Sequence, residues 1–204
     1  DAGSTDDIYL RAAGAPVAEE VRLTDFGLEA GSPDWAPDGT RLVFTSFDRS
    51  LGTRHSFPFV IALDTATGRA TSSVRLPLPA ALTGAEMAAW SPAGEEIAIE
   101  EAMPGGRHAL WVIRSDGTGA RKLVDYPMRT YGGVDWTPDG KTLIYSALSG
   151  ARMQLFAIPA AGGMPPRLTS DTAHLLHPQV SPDGRWIAAT RLTHEIQVRR
   201  MTVQ

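Results

Sequence analysis

The stretch Trp136-Thr137-Pro138-Asp139-Gly140, running on into Lys141-Thr142-Leu143-Ile144-Tyr145-Ser146, occurs four times in altered form. Its sisters open with Trp35-Ala36-Pro37-Asp38-Gly39, Trp90-Ser91-Pro92-Ala93-Gly94 and Val180-Ser181-Pro182-Asp183-Gly184. Each leads into a short apolar run: Leu42-Val43-Phe44, Ile97-Ala98-Ile99, Leu143-Ile144-Tyr145 and Trp186-Ile187-Ala188. The prolines are 55, 46 and 44 residues apart. Proline presets φ for the first central position of a tight turn. Aspartate adds a side-chain acceptor, and glycine is free to take positive φ. Pro-Asp-Gly between apolar runs therefore predicts strand, turn, strand. In the second copy Ala93 removes the side-chain acceptor but keeps Pro92 and Gly94. The bulky residue two before each proline ends the first strand, and packing between neighbouring sheets is the role expected of Trp35, Trp90 and Trp136.

Outward from these turns a second pair of strands recurs. Phe59 to Leu63 precedes Thr67-Gly68 and then Ser73 to Leu76; Ala109 to Ile113 precedes Ser115-Asp116-Gly117 and then Arg121 to Val124. Leu155 to Ile158 precedes Ala161-Gly162-Gly163 and then Arg167 to Thr169. Ile8-Tyr9-Leu10 with Glu20 to Thr24 repeats only this second pair, and Ile196 to Met201 stands as a last third strand. Four short antiparallel strands per unit, at a period in the forties, predict the blades of a β-propeller. The expectation is one all-β domain over 1–204, with a partial repeat at 6–24, whole repeats at 30–77, 85–125 and 131–170, and a partial repeat at 176–204. This amounts to about four blades plus partial blades at the termini.

The run Trp-Thr-Pro-Asp-Gly-Lys-Thr-Leu-Ile-Tyr-Ser, with the downstream Leu-Phe-Ala-Ile and its glycine-rich turn, resembles the repeat of TolB-type (PD40, WD40-like) propellers, as does Asp7-Ile8-Tyr9-Leu10. The resemblance extends from about Asp6 to Met201. It implies the fold, a periplasmic or otherwise extracytoplasmic bacterial setting, and a protein or peptide partner. Similar repeats also occur in propeller domains attached to serine peptidases and amidohydrolases, and in certain pectin-fragment lyases. The family commonly has six blades, so the strand count here implies an incomplete, open propeller. A small closed ring is the alternative. An open slice would leave apolar sheet faces and strand edges uncovered, which predicts self-association or completion by another chain.

Bulk composition narrows the function classes. A chain of 204 residues can bury about 70% of its unfolded surface. With 43% hydrophobic and 21% charged residues it has the make-up of an ordinary globular domain. A net charge of -4 with no basic block argues against nucleic acid as a partner. No apolar run is long enough for a membrane helix. Cysteine is absent, which excludes disulfides and thiolate chemistry.

No catalytic motif is found. Gly-x-Ser-x-Gly, a phosphate loop and His-Glu-x-x-His are all missing. Ser115-Asp116-Gly117-Thr118-Gly119 lacks the further carboxylates of a calcium loop. His174, His177 and Gln179 are the one cluster to weigh as a metal site, with His177 and Gln179 alternating onto one face of a strand. Histidines near the channel hold a metal in the pectin-fragment lyases of the resemblance. The competing reading gives His177 a hydrogen bond across the channel and no metal. Innermost strands line the channel, and residues three before each turn proline are Asp34, Ala89, Asp135 and Gln179. Those five before are Ser32, Met87, Gly133 and His177. Asp34, Asp135, His177 and Gln179 are thus the candidate binding residues of the channel mouth, where the occupant could be a cation, a cationic peptide terminus or ordered water. The long connection from Phe47 to Pro58, with Arg49, Arg54 and His55, reads either as a functional loop or as a tolerated insertion. The function expected is a non-catalytic protein- or peptide-binding scaffold without cofactor. The alternatives are an accessory domain of a larger hydrolase (serine peptidase or amidohydrolase) and a metal-dependent oligosaccharide lyase.

Overall fold

A computed structural model describes residues 6–14, 16, 19–25, 27, 29–48, 55–128 and 132–193, apart from the side chains of Asp48 and His55. Arg49, Arg54 and the strand expected at Ile196 to Met201 lie outside the described residues. The chain builds consecutive antiparallel sheets. Strands β1 (Tyr9–Leu10) and β2 (Val21–Arg22) form a short pair. Next come two four-stranded sheets in sequence order. The first holds β3 (Glu29–Trp35), β4 (Arg41–Asp48), β5 (His55–Asp64) and β6 (Arg69–Arg75); the second holds β7 (Met87–Trp90), β8 (Glu96–Met103), β9 (Arg107–Arg114) and β10 (Arg121–Pro127). A three-stranded sheet follows, of β11 (Val134–Trp136), β12 (Thr142–Ser149) and β13 (Arg152–Pro159). The last pair is β14 (His174–Val180) and β15 (Ile187–Leu192). No helix among the described residues is long and apolar enough to cross a membrane.

The expected fourth strand of the third sheet is reduced to one bridge, Phe156 to Arg167. Pro165-Pro166 explains this: prolines have no N–H to give a ladder. The segment still follows β13, because Pro166 O accepts from Ala157 N at 3.0 Å and Leu168 N donates to Leu155 O at 2.8 Å.

The β-turns close as the repeat dictates. Gly39, Gly94, Gly140 and Gly184 donate their N–H to the residue before the proline, at 2.8 to 2.9 Å, with φ between 67° and 74°. Asp38, Asp139 and Asp183 accept from the backbone N–H two residues on. These carboxylates are held below the usual range, Asp139 and Asp183 chiefly by the hydroxyls of Thr137 and Ser181 and then by those backbone bonds, Asp38 by the Thr40 N–H and then its hydroxyl.

The second strands β4, β8 and β12 are apolar on both faces because each lies between two neighbouring sheets. Leu42 and Phe44 pack towards β1–β2 with Ile8 and Leu23, while Val43 packs with Ile97, Ile99 and Trp111 of the next sheet. Ala98 and Val112 in turn meet Trp136, Leu143 and Tyr145. Each fully buried Ile, Leu or Phe contributes about 1.5 to 3 kcal/mol, so sheet stacking dominates the stability. The innermost strands touch in the order β3, β7, β11, β14, which sets the sheets in an arc. Among the described residues β14–β15 makes no extended contact with the first two sheets, and the arc stays open.

Candidate functional site

The inner strands define the site, and three repeated contacts hold them side by side. The first is turn on turn. A Cβ placed on Gly94 would lie 3.2 Å from Pro37, one on Gly140 3.8 Å from Pro92, and one on Gly184 3.5 Å from Pro138. The proline of each blade is thus the floor for the glycine of the next. The second contact is the tryptophan, which reaches back to the preceding blade. Trp136 Nε1 donates to Ala89 O at 3.1 Å, and Arg41 lies over the Trp90 ring at 4.8 Å. Trp90 and Trp136 are 5% and 4% exposed, but Trp35, with no inner strand before it among the described residues, is 46% exposed. The packing role expected of all three tryptophans therefore depends on having a predecessor.

The third contact involves two of the candidate binding residues. Asp34 Oδ2 accepts from Trp90 N at 2.7 Å, and Asp135 Oδ2 accepts from Val180 N at 2.7 Å. Asp135 Oδ1 also takes Trp136 N at 2.8 Å. Each carboxylate stitches its own inner strand to the following one. Where Ala89 replaces the aspartate, the indole of Trp136 uses the Ala89 carbonyl instead. Burial pushes both carboxyls above the ordinary aspartate range, although backbone donors pull the other way; for Asp34 the charge of Asp135 pushes it further up. The two carboxylates therefore share one region of the inner face, on either side of the Ala89 strand.

His177 and Ser32 occupy equivalent places, five residues before the turn proline. Both have positive φ, 51° and 53°, and each is followed by proline. Both lie in bulges, where the register slips between Gly31 and Asp34 and between Leu176 and Gln179. The third equivalent, Gly133, has φ 92°. His177 N donates to Gly132 O at 2.6 Å, and a Cβ on Gly133 would sit 3.0 Å from His177 Cα, so this glycine admits the histidine backbone. The side chains of Ser32, His177 and Gln179 are exposed. His174 is turned to another use, its Nδ1 accepting from Met153 N at 3.3 Å. Among the described residues no three His, Asp or Glu side chains assemble as a metal cluster.

Beneath this rim lies a polar cluster that sequence reasoning missed. Glu100, almost fully buried, accepts from Tyr126 Oη at 3.1 Å and from Gly133 N at 3.3 Å. His108 Nδ1 lies 3.3 Å from Glu100 Oε1 and 4.0 Å from Glu86 Oε2, out of line for a hydrogen bond. Burial, then the Glu100 charge, drives the Tyr126 hydroxyl well above its ordinary range, and burial pushes Tyr145 up to about 12. Both phenols are neutral at physiological pH, so Tyr126 donates and cannot serve as a base. Neighbouring Glu101 accepts from Thr83 N, Thr83 Oγ1 and Trp111 Nε1 at 2.7, 2.9 and 2.8 Å. A sequence signal for this row exists. The residue eight after each turn proline is polar, namely Thr45, Glu100, Ser146 and Thr190, and it interrupts an otherwise apolar strand. Thr45 also ties its strand to the next blade, but as a donor, its hydroxyl giving a hydrogen bond to Glu86 O at 3.2 Å.

Radially stacked antiparallel sheets, joined by a proline-glycine turn contact and an inner-strand carboxylate, define an arc of β-propeller blades. The TolB beta propeller domain model (PD40) matches residues 29–204. The chain belongs to that family. An uncharacterised protein of Agrobacterium fabrum is 30% identical over 114 residues, 55% of this chain and 38% of its own length. The uncharacterised peptidase YuxL of Bacillus subtilis is 24% identical over 194 residues, 76% of this chain and 28% of its own. A TolB structure from Agrobacterium tumefaciens superposes with a TM-score of 0.67 at 22% identity, covering 83% of this chain and 56% of that one. The chain thus spans well under half the length of these two curated relatives.

Proposed function

We propose that this chain is a non-catalytic scaffold that binds a protein or peptide, in an extracytoplasmic bacterial setting, across the rim formed by Ser32, His177 and Gln179. The observation that carries the reading is the pair of left-handed residues at equivalent inner-strand positions. Neither Ser32 nor His177 is a glycine, and both keep φ near 50° with exposed side chains. Such conformations cost about 1 to 3 kcal/mol each and persist where the side chain is needed. Asp34 and Asp135 serve this rim indirectly, by fixing the spacing of its strands. A cation in the channel is not required by this reading.

The test uses the double substitution Ser32→Gly and His177→Gly. Glycine takes positive φ without strain, so stability should hold or rise. Peptides selected from a displayed random library on the immobilised parent chain should lose binding to the variant. Equal binding of those peptides to parent and variant would remove the rim from the function.

The likeness to peptidase YuxL over three quarters of the chain favours a second reading, an accessory domain of a larger hydrolase whose propeller guides substrate. It predicts that the native reading frame continues into a domain with its own nucleophile motif. A reading frame that ends without one would dismiss it.

A further inference from the structure

The outer strands of the blades differ in how their free edges are guarded. An exposed strand edge is a template for another chain, and natural edges are blunted by prolines, charges or bulges. β10 carries Lys122, Asp125 and Pro127, slips register between Lys122 and Val124, and buries Tyr126. The outer segment of the third sheet holds Pro165-Pro166 and keeps one bridge, Phe156 to Arg167. β6 is the outer strand of the complete sheet β3-β4-β5-β6, and it is exposed at every position. It carries no proline, lysine or carboxylate. Its ladder to β5 slips at Thr71, whose hydroxyl donates to Ala62 O at 3.2 Å, and then runs regularly from Ser72 to Arg75.

The pairing decides which backbone groups face outward. Leu76 N donates to Pro58 O at 2.9 Å, so the pair Leu76 and Pro58 is a hydrogen-bonded one. Bonded and non-bonded pairs alternate along an antiparallel ladder. Val74 and Ser72 therefore bond to Val60 and Ala62 of β5, and the N–H and C=O groups of Ser73 and Arg75 point away from it. The side chains add a charge. Arg69 and Arg75 bracket the strand, on a chain whose net charge is -4. The Arg75 guanidinium lies over the Phe57 ring at 3.4 Å. Stacking holds a guanidinium in place and leaves its N–H edge open to a carboxylate, which it binds through two parallel hydrogen bonds.

We propose that β6 is a docking edge for an extended acidic segment of another protein, which adds a further strand to this sheet and pairs a carboxylate with Arg75. The outward backbone groups of Ser73 and Arg75 supply affinity, as in other strand additions. Arg75 sets the chemistry of the partner. A second copy of this chain is the poorer occupant. Two β6 strands paired antiparallel over their full length would set Arg69 opposite Arg75, and like charges directly opposite are destabilising. β6 and the inner strand β3, which carries Ser32, are opposite edges of the sheet. The inference is therefore independent of the binding role proposed for the rim.

The test selects displayed random peptides on the immobilised parent chain and measures each enriched peptide against Ser73→Pro and Arg75→Glu. Proline at 73 removes an outward N–H and leaves the bonds to β5 in place. A class of enriched peptides bearing aspartate or glutamate should bind both variants about tenfold more weakly than the parent, the effect of losing one hydrogen bond or one charged pair. The same peptides should bind the Ser32→Gly and His177→Gly double variant as well as the parent. Exchanging their acidic residue for lysine should restore binding to Arg75→Glu. Bound peptide should also slow hydrogen exchange at the Ser73 and Arg75 amides. Thermal unfolding checks the fold of each variant, and if Ser73→Pro unfolds, Arg75→Glu with its lysine rescue decides. A selection that yields no peptide weakened by these substitutions overturns the proposal. So does a weakened class without acidic residues. A parent dimer that dissociates on Ser73→Pro also overturns it, by giving the edge to a second copy.

Discussion

Gly117, in the turn between β9 and β10, gives the sharpest test of how the blades are fitted together. Its φ is 83°, and a Cβ there would stand 2.5 Å from Pro77 Cδ, 2.7 Å from Pro77 Cγ and 2.8 Å from the Pro77 carbonyl oxygen. Two penalties follow for Gly117→Ala. The left-handed backbone costs a non-glycine residue about 1 to 2 kcal/mol. Overpacking against a ring and a backbone atom, neither of which can swing away, costs about 1 to 3 kcal/mol more. The total, about 3 kcal/mol, is a large share of a usual stability of about 5 to 15 kcal/mol. For a domain of this size it corresponds to a fall in Tm of about 6 to 12 °C. Gly39→Ala is the matched control: φ is 69° and nothing lies within 4 Å, so only the backbone penalty applies. Urea unfolding followed by tryptophan fluorescence compares the two. Adding Pro77→Ala to Gly117→Ala should recover part of the loss, because the ring atoms leave and the carbonyl remains. Equal losses for Gly39→Ala and Gly117→Ala would refute the reasoning.

Other substitutions test the contacts between blades. Trp136→Ala should cost about 3 to 5 kcal/mol, and Trp35→Ala less than half as much because Trp35 is half exposed; equal denaturant midpoints for the two would contradict the direction of packing. Replacing Glu101 by Ala strands three donors in the interior and should cost about 3 kcal/mol or more, whereas Glu101→Gln keeps an acceptor and should lose less, as read by thermal unfolding. Asp34→Ala should destabilise by about 1 to 3 kcal/mol by removing the acceptor for Trp90 N, while Asp34→Asn keeps an acceptor oxygen and should be tolerated. The last comparison has a pH signature. Asp34 has a folded pKa above its unfolded value, so between the two the folded state holds a proton that the unfolded state has lost. Folding then takes up a proton, and the aspartate's contribution to stability falls as pH rises through that window. The stability of Asp34→Asn relative to the parent should therefore be greater at neutral pH than below the unfolded aspartate pKa, and a difference that does not vary with pH would contradict the raised pKa. The turn aspartates Asp38, Asp139 and Asp183 act oppositely: their folded pKa values are depressed, so their stabilisation is present above the unfolded pKa and lost as pH falls through the folded one.

Much of the site was legible only as position. Counting back from each turn proline locates Asp34, Asp135, His177 and Gln179 on inner strands, because strand side chains alternate with period two. Counting cannot say what a carboxylate bonds to. The partners of Asp34 and Asp135 lie 56 and 45 residues away, on the next blade. The bulges at Ser32 and His177 break the alternation that counting assumes, and no local signal beyond the following proline marks them. Glu100 was passed over for the same reason: its partners Tyr126 and Gly133 are 26 and 33 residues distant, and only stacking brings them together.

The sequence by itself determined the blade. Pro-Asp-Gly fixes the turn through φ, a short-range acceptor and a positive-φ glycine, and apolar runs on either side make strands that must be covered on both faces. The tertiary structure decided how blade meets blade: which proline supports which glycine, that Trp90 and Trp136 reach backwards, and that the aspartates bind strands together. Turn and strand preferences act over a few residues and are written in local order. Contacts between sheets depend on the angle and offset at which whole sheets stack, which is set jointly by side chains about a full repeat apart.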